Sequence, residues 1–288
     1  MPFRTASESR NTAPMASRAA ASLVSRFDSR AVRCPVVSTP IRSLADYFAL
    51  LSDWAGKPAR YWFRGQASAD WRLLPSALRY ATEPDRNRAL ALITDFKRVA
   101  EIKLPANRVP VLSDDLRWIQ VGQHYGLPTR LLDWTESPLV GLHFACCEGA
   151  NEDGLVFLLD PRSLNRYTVP AVTRVLDGNS DGHILERYLK LRGRLSPRGS
   201  GALAINPAWN NERIALQQGV FTLHGTHSAG IRHSTPSLVA IPVMSEAKEA
   251  LLNELHSVGI DEMSLFPELE HAARQLKRRA QLDPTHSG

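Results

Sequence analysis

The sequence predicts an α+β fold in which a mixed β-sheet forms the core and helices flank it. Apolar residues make up 43% of the 288 residues, which is ordinary for a soluble globular protein. Several segments repeat apolar residues at helical spacing, whereas short apolar runs such as residues 155–159 are typical of strands. Because the two patterns interleave without regular βαβ spacing, the predicted class is α+β.

The predicted domain organisation is a disordered basic tail over residues 1–39, one domain over 40–283, and a disordered C-terminus over 284–288. The net charge is +6, and the first 40 residues supply +4 of it through six arginines and two acidic residues. The remaining 248 residues therefore carry only +2. The total charge thus does not indicate a basic face for nucleic acid on the domain itself.

Helices are predicted from apolar spacing and from residues that cap helix ends. Ser43, Ser113 and Ser137 are expected N-caps, and Pro138 follows the last of them at the first helical position. Gly126, with a proline two residues later, predicts a helix end. The predicted helices span residues 43–54, 84–104, 113–125, 138–147, 183–191, 245–257 and 267–281.

Strands are predicted where apolar runs are short. An aromatic strand over residues 61–63 is expected to place Arg64 at its end. Further strands are expected over residues 154–160, 220–224 and 238–243. The segments 127–136 and 201–211 are rich in polar residues or proline and predict loops.

Several classes of protein are not indicated. No apolar run approaches the roughly 20 residues that a membrane span needs. Three cysteines, two of them adjacent, do not resemble a secreted disulfide framework, so a cytoplasmic location is expected. His224, His227 and His233 lack accompanying carboxylates or cysteines, so we expect solvated loop histidines and no metal site.

Arg64 and Gly65 form the first candidate site. An arginine at a strand end is either paired with a carboxylate such as Asp133 or acts as an anion clamp. Gly65 would let a phosphate approach the backbone closely, because glycine has no side chain. Both interpretations of Arg64 stay open at this point.

The segment from Gln123 to Pro138 is the second candidate. Its loop must satisfy its own backbone polar groups, and a buried ion pair between Arg130 and Asp133 would do so. The alternative is a ligand pocket lined by Tyr125, Trp134 and Thr135. A third candidate is the pair Gln217 and Gln218, whose amides either cap a turn or contact a ribose or a base edge.

Together these segments resemble the FRG domain family, named for the tripeptide that stands here as Phe63-Arg64-Gly65. The resemblance rests on residues 61–66, on the block from Gln123 to Pro138, on residues 213–221, and on the ending Gly259-Ile260 with residues 265–269. This bacterial family is common near mobile elements, and its activity is mostly unassigned.

A weaker resemblance is to ADP-ribosyltransferases, whose fold the chain would then share. It implies NAD as substrate, with catalytic roles for Arg64, Thr135 and Gln218. Arg64 would hold the pyrophosphate through its bidentate guanidinium. The implied ligand-binding residues are Gly65, Gln66, Tyr125, Arg130, Asp133, Trp134 and Gln217.

The sequence departs from the transferase pattern where a carboxylate is expected to stabilise the oxocarbenium-like charge. Gln217 and Gln218 stand there, and Glu212 is the nearest acid. The leading hypothesis is an NAD-binding or ADP-ribosyltransferase-like toxin or defence effector. The alternative is a non-catalytic module that binds nucleic acid or a protein partner.

Overall fold

The computed structural model describes residues 34–55, 61–189, 201–207, 212–226, 230–231 and 238–280. Within these residues a seven-stranded sheet is surrounded by helices, which confirms the α+β prediction. The helices are α1 (Leu44–Ala55), α2 (Glu83–Lys103), α3 (Asp115–His124), α4 (Pro138–Cys146), α5 (Pro161–Thr168), α6 (Gly182–Leu189), α7 (Glu212–Leu216), α8 (Lys248–Ser257), α9 (Glu262–Leu265) and α10 (Leu269–Arg279).

The sheet is mixed. Its strands are β1 (Trp62–Gln66), β2 (Leu131–Thr135), β3 (Gly154–Leu159), β4 (Leu176–Asp177), β5 (Ala202–Asn206), β6 (Gly219–His224) and β7 (Leu238–Val243). They lie in the order β4-β5-β6-β2-β1-β3-β7, and the β4–β5 pair is parallel whereas the others are antiparallel. The central position of β1 and β2 places the predicted site residues in the middle of the sheet.

The helix ends follow from capping side chains. Ser137 caps α4 by accepting a hydrogen bond from the Val140 amide, and Pro138 is the first helical residue, as the sequence predicts. The cap of α3 is Asp114 rather than the predicted Ser113, because the Asp114 carboxylate accepts from the Arg117 amide. Gly126 has a φ of +86° directly after the last turn of α3, which is the left-handed conformation expected of a C′ glycine.

Two segments predicted as loops are strands. Residues 131–135 form β2, which pairs with β6 over five positions, and residues 202–206 form β5. In β2 four of the five residues are buried, so burial on both sides of the sheet outweighs the polar appearance of Asp133. Residues 208–211 of the second predicted loop lie outside the described residues.

The aromatic strand also extends further than predicted. Arg64 lies in the middle of β1 and pairs with Phe157 of β3, so it does not end the strand. His224 corrects a further prediction. It is the last residue of β6 and is fully buried, whereas the sequence suggested a solvated loop histidine. His227 and His233 lie outside the described residues.

The folded part begins earlier than the predicted boundary near residue 40. Cys34 is buried, and the Val37 amide donates to the Ala240 carbonyl at 2.8 Å. The Ala240 amide donates to the Pro35 carbonyl at 2.9 Å, so this segment runs beside β7. Residues 1–33 of the tail predicted over 1–39, and the C-terminal tail predicted over 284–288, lie outside the described residues. In the part of the chain that the structure describes, no helix combines the length and apolarity that crossing a membrane requires.

Candidate functional site

The centre of the sheet contains an opening between β1 and β2. The two strands pair at a single position, Phe63 with Thr135, whereas β1 pairs with β3 at five positions. Beyond that single pair the strands separate, and their facing backbone groups need other partners. The opening therefore creates both a cavity and a demand for hydrogen bonds in the middle of the fold.

Arg64 provides one of the hydrogen bonds that the opening requires. Its Nη1 donates to the Asp133 carbonyl at 2.7 Å, which joins the two strands where the backbone ladder is missing. The same atom lies 4.0 Å from Asp133 Oδ2, but the Asp133 side chain is 64% exposed, so the ion pair is weak. The Arg64 side chain is only 17% exposed.

One donor of Arg64 is unused. Its Nε is buried and has no hydrogen-bond partner among the described residues. Burial lowers the pKa of the guanidinium, the Asp133 carboxylate opposes that change, and Arg79 adds to it. Since arginine stays protonated in proteins, Arg64 places a positive charge with a spare donor at the opening.

Gly65 allows a helix to lie directly against β1. A Cβ at this position would stand 2.1 Å from the Gly141 carbonyl oxygen and 2.4 Å from the Ala145 nitrogen, both in α4. Strand alternation directs Phe63 and Gly65 toward α4 and Arg64 toward the other face. Because Arg64 and Gly65 nevertheless line the same cavity, the cavity reaches into the opening between the strands.

We call this cavity the central cleft. It has a volume of about 360 Å³ and lies between α3, α4, α7 and the strands beneath them. Its charged lining residues are Arg64, Arg213, Asp133 and Glu148. Its aromatic and apolar walls include Phe63, Trp71, Val140, Phe144, Ile214 and Phe221. The cleft thus combines charged groups of both signs with flat apolar surfaces.

Helix α3 adds amide groups to the cleft. Gln123 donates from Nε2 to Asp133 Oδ1 at 2.6 Å, and its Oε1 accepts from the Thr129 hydroxyl. Gln120 is 5% exposed, and its Nε2 has no hydrogen-bond partner within the described ranges. The orientation of Gln123 is therefore fixed by neighbours, whereas Gln120 retains a donor for a ligand.

Arg213 is positioned by an aromatic stack. Its guanidinium lies 4.7 Å from the centre of the Phe266 ring, and His271 stacks on Phe266 at 4.1 Å. Phe266 and Phe144 also pack in an edge-to-face arrangement. The ending that the sequence singled out, around residue 266, thus supports a cationic wall of the central cleft.

A second cavity, which we call the side compartment, adjoins the central cleft. It has a volume of about 380 Å³ and shares Gln120, His124 and Ile214 with the cleft. Burial lowers the pKa of His124, Arg213 adds to the lowering, and Glu268 opposes it. The other lining residues include Arg108, Arg117, Tyr125, Glu212 and Glu268.

A model of the FRG domain family matches residues 59–154. An FRG domain is therefore present over residues 59–154. The matched stretch contains β1, the tripeptide Phe63-Arg64-Gly65 and the block from Gln123 to Pro138. No curated protein and no solved structure matches the chain.

Six of the residues that the sequence singled out line the central cleft. They are Arg64, Gly65, Asp133, Trp134, Thr135 and Gln217. They come from β1, β2 and the turn before β6, which the sheet order brings together. Four other predicted residues lie elsewhere: Gln66, Tyr125, Arg130 and Gln218.

Arg130 is buried away from the cleft. One interpretation of the sequence paired it with Asp133, but the structure gives it other partners. Its Nη1 donates to the carbonyls of Tyr188 and His224, and its Nη2 donates to the Leu189 carbonyl, at 2.9 to 3.0 Å. Burial lowers the pKa of Arg130 to about 10. Arg130 therefore joins α6 to the ends of β2 and β6, and this role is structural.

The late glutamines differ from each other. Gln217 lines the cleft, but its Nε2 donates to the Leu265 carbonyl at 3.2 Å. Gln218 is exposed in the turn before β6 with a φ of +46°, and its carbonyl accepts from the Glu136 amide. Gln218 thus shapes the turn, and its side chain does not line the cleft.

Of three further predicted residues, two have structural partners and the third has an unused acceptor. The Thr135 hydroxyl donates to the Gln217 carbonyl at 2.6 Å and accepts from the Ser137 amide. Trp134 is buried and donates from Nε1 to the Thr222 hydroxyl at 3.0 Å. Gln66 is buried at the end of β1, and its Oε1 lacks a hydrogen-bond partner in the described part of the chain.

Sequence reasoning missed Gln120, His124, Phe144 and Arg213 as lining residues. A signal existed for two of them. Gln120 and His124 stand four positions apart in a predicted helix and therefore share one face with polar groups. Arg213 and Phe144 could not be placed because their proximity depends on the sheet order.

Proposed function

We propose that the central cleft of this FRG domain binds a ligand of the nucleotide class, with NAD and ADP-ribose as the members that the resemblance indicates. The observation that carries the proposal is Arg64. Its guanidinium is largely buried at the strand opening, it is held by the Asp133 carbonyl, and it retains a buried donor. A phosphate oxygen is the natural acceptor for such a group.

The rest of the cleft supports this ligand class. Arg213 adds a second positive charge from α7, and Phe144 and Phe221 offer ring surfaces. The unused Nε2 of Gln120 can donate to a sugar or base oxygen. Small-molecule sites typically combine such apolar walls with a few placed polar groups in about 300–1,000 Å³.

The geometry favours binding over transfer by the residues that the sequence suggested. Thr135 and Gln217 already make internal hydrogen bonds, and Gln218 lies outside the cleft. ADP-ribosyl transfer would require a carboxylate near the developing positive charge. Asp133 and Glu148 are the acids that line the cleft, whereas Glu212 lines the side compartment. Toxin or defence activity stays a prediction from the family resemblance, and a cytoplasmic location stays a prediction from the cysteine pattern.

The test is calorimetric titration of the full chain with ADP-ribose and with NAD. We expect both to bind, and we expect Arg64→Lys to weaken binding about ten- to a hundredfold. Lysine cannot reproduce the guanidinium fork, and a charge-assisted hydrogen bond contributes about 1.5–3 kcal/mol. Arg88→Lys is the matched control, because Arg88 is exposed and pairs with Asp85 on α2.

Thermal melts of the same variants separate binding from folding. If Arg64→Lys lowers the melting temperature strongly and wild type gives no heat with either nucleotide, the cleft is not a nucleotide site. The domain is then better described as the non-catalytic partner-binding module. Release of nicotinamide from NAD tests turnover. If wild type releases it, Asp133→Asn and Glu148→Gln identify the acid that supports transfer.

A further inference from the structure

The side compartment contains two buried polar atoms that lack partners. Glu268 Oε2 has no hydrogen-bond partner among the residues that the structure describes, and neither has Gln120 Nε2. Both residues line this compartment. A buried carboxylate oxygen and a buried amide donor are both destabilising when unsatisfied. A ligand that offers one donor and one acceptor would satisfy the pair.

The polar atoms without partners, and not the net charge, distinguish the side compartment from the central cleft. Arg108 and Arg117 are balanced by Glu212 and Glu268 in the lining. The central cleft has the same balance, because Asp133 and Glu148 line it beside Arg64 and Arg213. The atoms without a partner among the described residues differ instead: the cleft has the cationic donor Arg64 Nε, whereas the side compartment has Glu268 Oε2 and the neutral donor Gln120 Nε2. A phosphate therefore belongs beside Arg64, and a neutral group with one donor and one acceptor fits the side compartment.

An aromatic surface is available beside these atoms. Tyr125 lines the compartment and is 56% exposed, and its ring is held by the edge of His124 and by Phe96. A ring held in this way can stack on a flat ligand with little loss of side-chain freedom. The compartment thus offers a stacking surface, one acceptor and one donor.

We propose that the side compartment is a base subsite for an aminated nucleobase of the adenine type. The exocyclic amine would donate to Glu268, the neighbouring ring nitrogen would accept from Gln120, and the ring would stack on Tyr125. This inference rests on the proposed function, since the phosphates of the same nucleotide would lie in the central cleft. The shared residues Gln120 and His124 place the two parts of the ligand side by side.

The test compares AMP with purine riboside 5′-monophosphate, which is AMP without the exocyclic amine. We expect wild type to bind AMP at least tenfold more tightly, because only AMP can donate to Glu268. Glu268→Leu should remove this preference, because leucine offers no acceptor to the exocyclic amine. Glu270→Leu, which replaces an exposed acid two residues away, should leave the preference unchanged.

A second set of measurements tests the stacking surface and the identity of the base. Tyr125→Ala removes an exposed ring and should weaken the binding of AMP without changing the affinity for ribose 5-phosphate. CMP presents the same amine and ring nitrogen on a smaller ring and should bind less tightly than AMP. Tighter binding of CMP would overturn the assignment to adenine.

The failure of this inference is distinguishable from the failure of the proposed function. If AMP and the purine nucleotide bind equally, and Arg64→Lys weakens both, the base subsite is wrong and the phosphate site stands. If neither nucleotide nor ribose 5-phosphate binds, both proposals fall.

Discussion

Arg64 and Arg130 show how two arginines from separate signature segments acquire different roles. Both donate to main-chain carbonyls, but Arg130 is enclosed by the carbonyls of Tyr188, Leu189 and His224. Arg64 makes one such bond and keeps a donor at a cavity. The number of internal acceptors, rather than residue type, therefore separates a structural cation from a candidate binding group.

His224 gives a pH-dependent prediction at the same scale. Burial lowers the pKa of His224 from 6.5 to about 3, and Arg130 and Arg64 add to the lowering. The unfolded chain therefore binds a proton below pH 6.5 that the folded chain does not bind until about pH 3. This residue should make stability fall as the pH decreases from 6.5 towards 3, by up to about 1.4 kcal/mol per pH unit.

Urea denaturation between pH 4 and 8 measures this slope. His224→Gln removes the titrating group. Below pH 6.5, the pH dependence of its unfolding free energy should therefore correspond to about one proton fewer than in wild type. Equal slopes would show that His224 does not remain neutral in the fold. His256, which is half exposed beside Asp261, provides the comparison through His256→Gln.

Much of the residue-level site could not be read from the sequence. The sequence pointed to Arg64, Asp133 and Gln217, which do line the cleft. It could not show that the Thr135 hydroxyl is bonded to the backbone, or that Gln120 has an unused donor. Those properties depend on neighbours distant along the chain, and local pattern carries no information about them.

At the scale of elements, helices were predicted better than strands. Capping serine, proline and glycine residues act locally, so the start of α4 and the end of α3 were correct. β2 was missed because Asp133 and the preceding Arg130 resemble a polar loop. Its neighbours β1 and β6 supply the burial that makes residues 131–135 a strand.

The contact between β1 and α4 gives a prediction at this scale. Gly65→Ala should destabilise the domain by on the order of 3 kcal/mol, because the added Cβ would overlap backbone atoms of α4 that cannot rotate away. Gly182→Ala is the matched control. A Cβ there meets nothing within 4 Å at the start of α6, so its effect should be small.

Chemical denaturation of the two variants measures the difference. A loss below about 1 kcal/mol for Gly65→Ala would mean that α4 can move away from the strand at little cost. The close approach of α4 to β1 would then not be a requirement of the fold.

At the scale of the whole molecule, the α+β class was predictable but the strand order was not. The class follows from interleaved local patterns. The order β4-β5-β6-β2-β1-β3-β7 depends on pairings between distant segments, and these create the opening beside Arg64. The existence of a cleft could therefore be expected from the signatures, but its second compartment could not.

The N-terminal boundary gives the prediction that belongs to this scale. A chain that begins at Thr39 should melt about 5–10 °C lower than one that begins at Arg33. It loses buried Cys34 and the two main-chain hydrogen bonds to Ala240, a loss of about 2–3 kcal/mol. Equal melting temperatures would show that residues 34–38 add nothing to the stability of the β7 edge.

The tripeptide that names the family is constrained in its spacing as well as in its residues. Phe63 and Gly65 face α4 and Arg64 faces the other way, because side chains alternate along β1. Inserting one residue before Phe63 within a fixed strand would direct the guanidinium against the backbone of α4 and the ring into the opening. A single substitution changes the contacts of one of these three residues, whereas a one-residue insertion or deletion moves all three to the opposite face of the sheet. Length variation in this family should therefore be found outside β1.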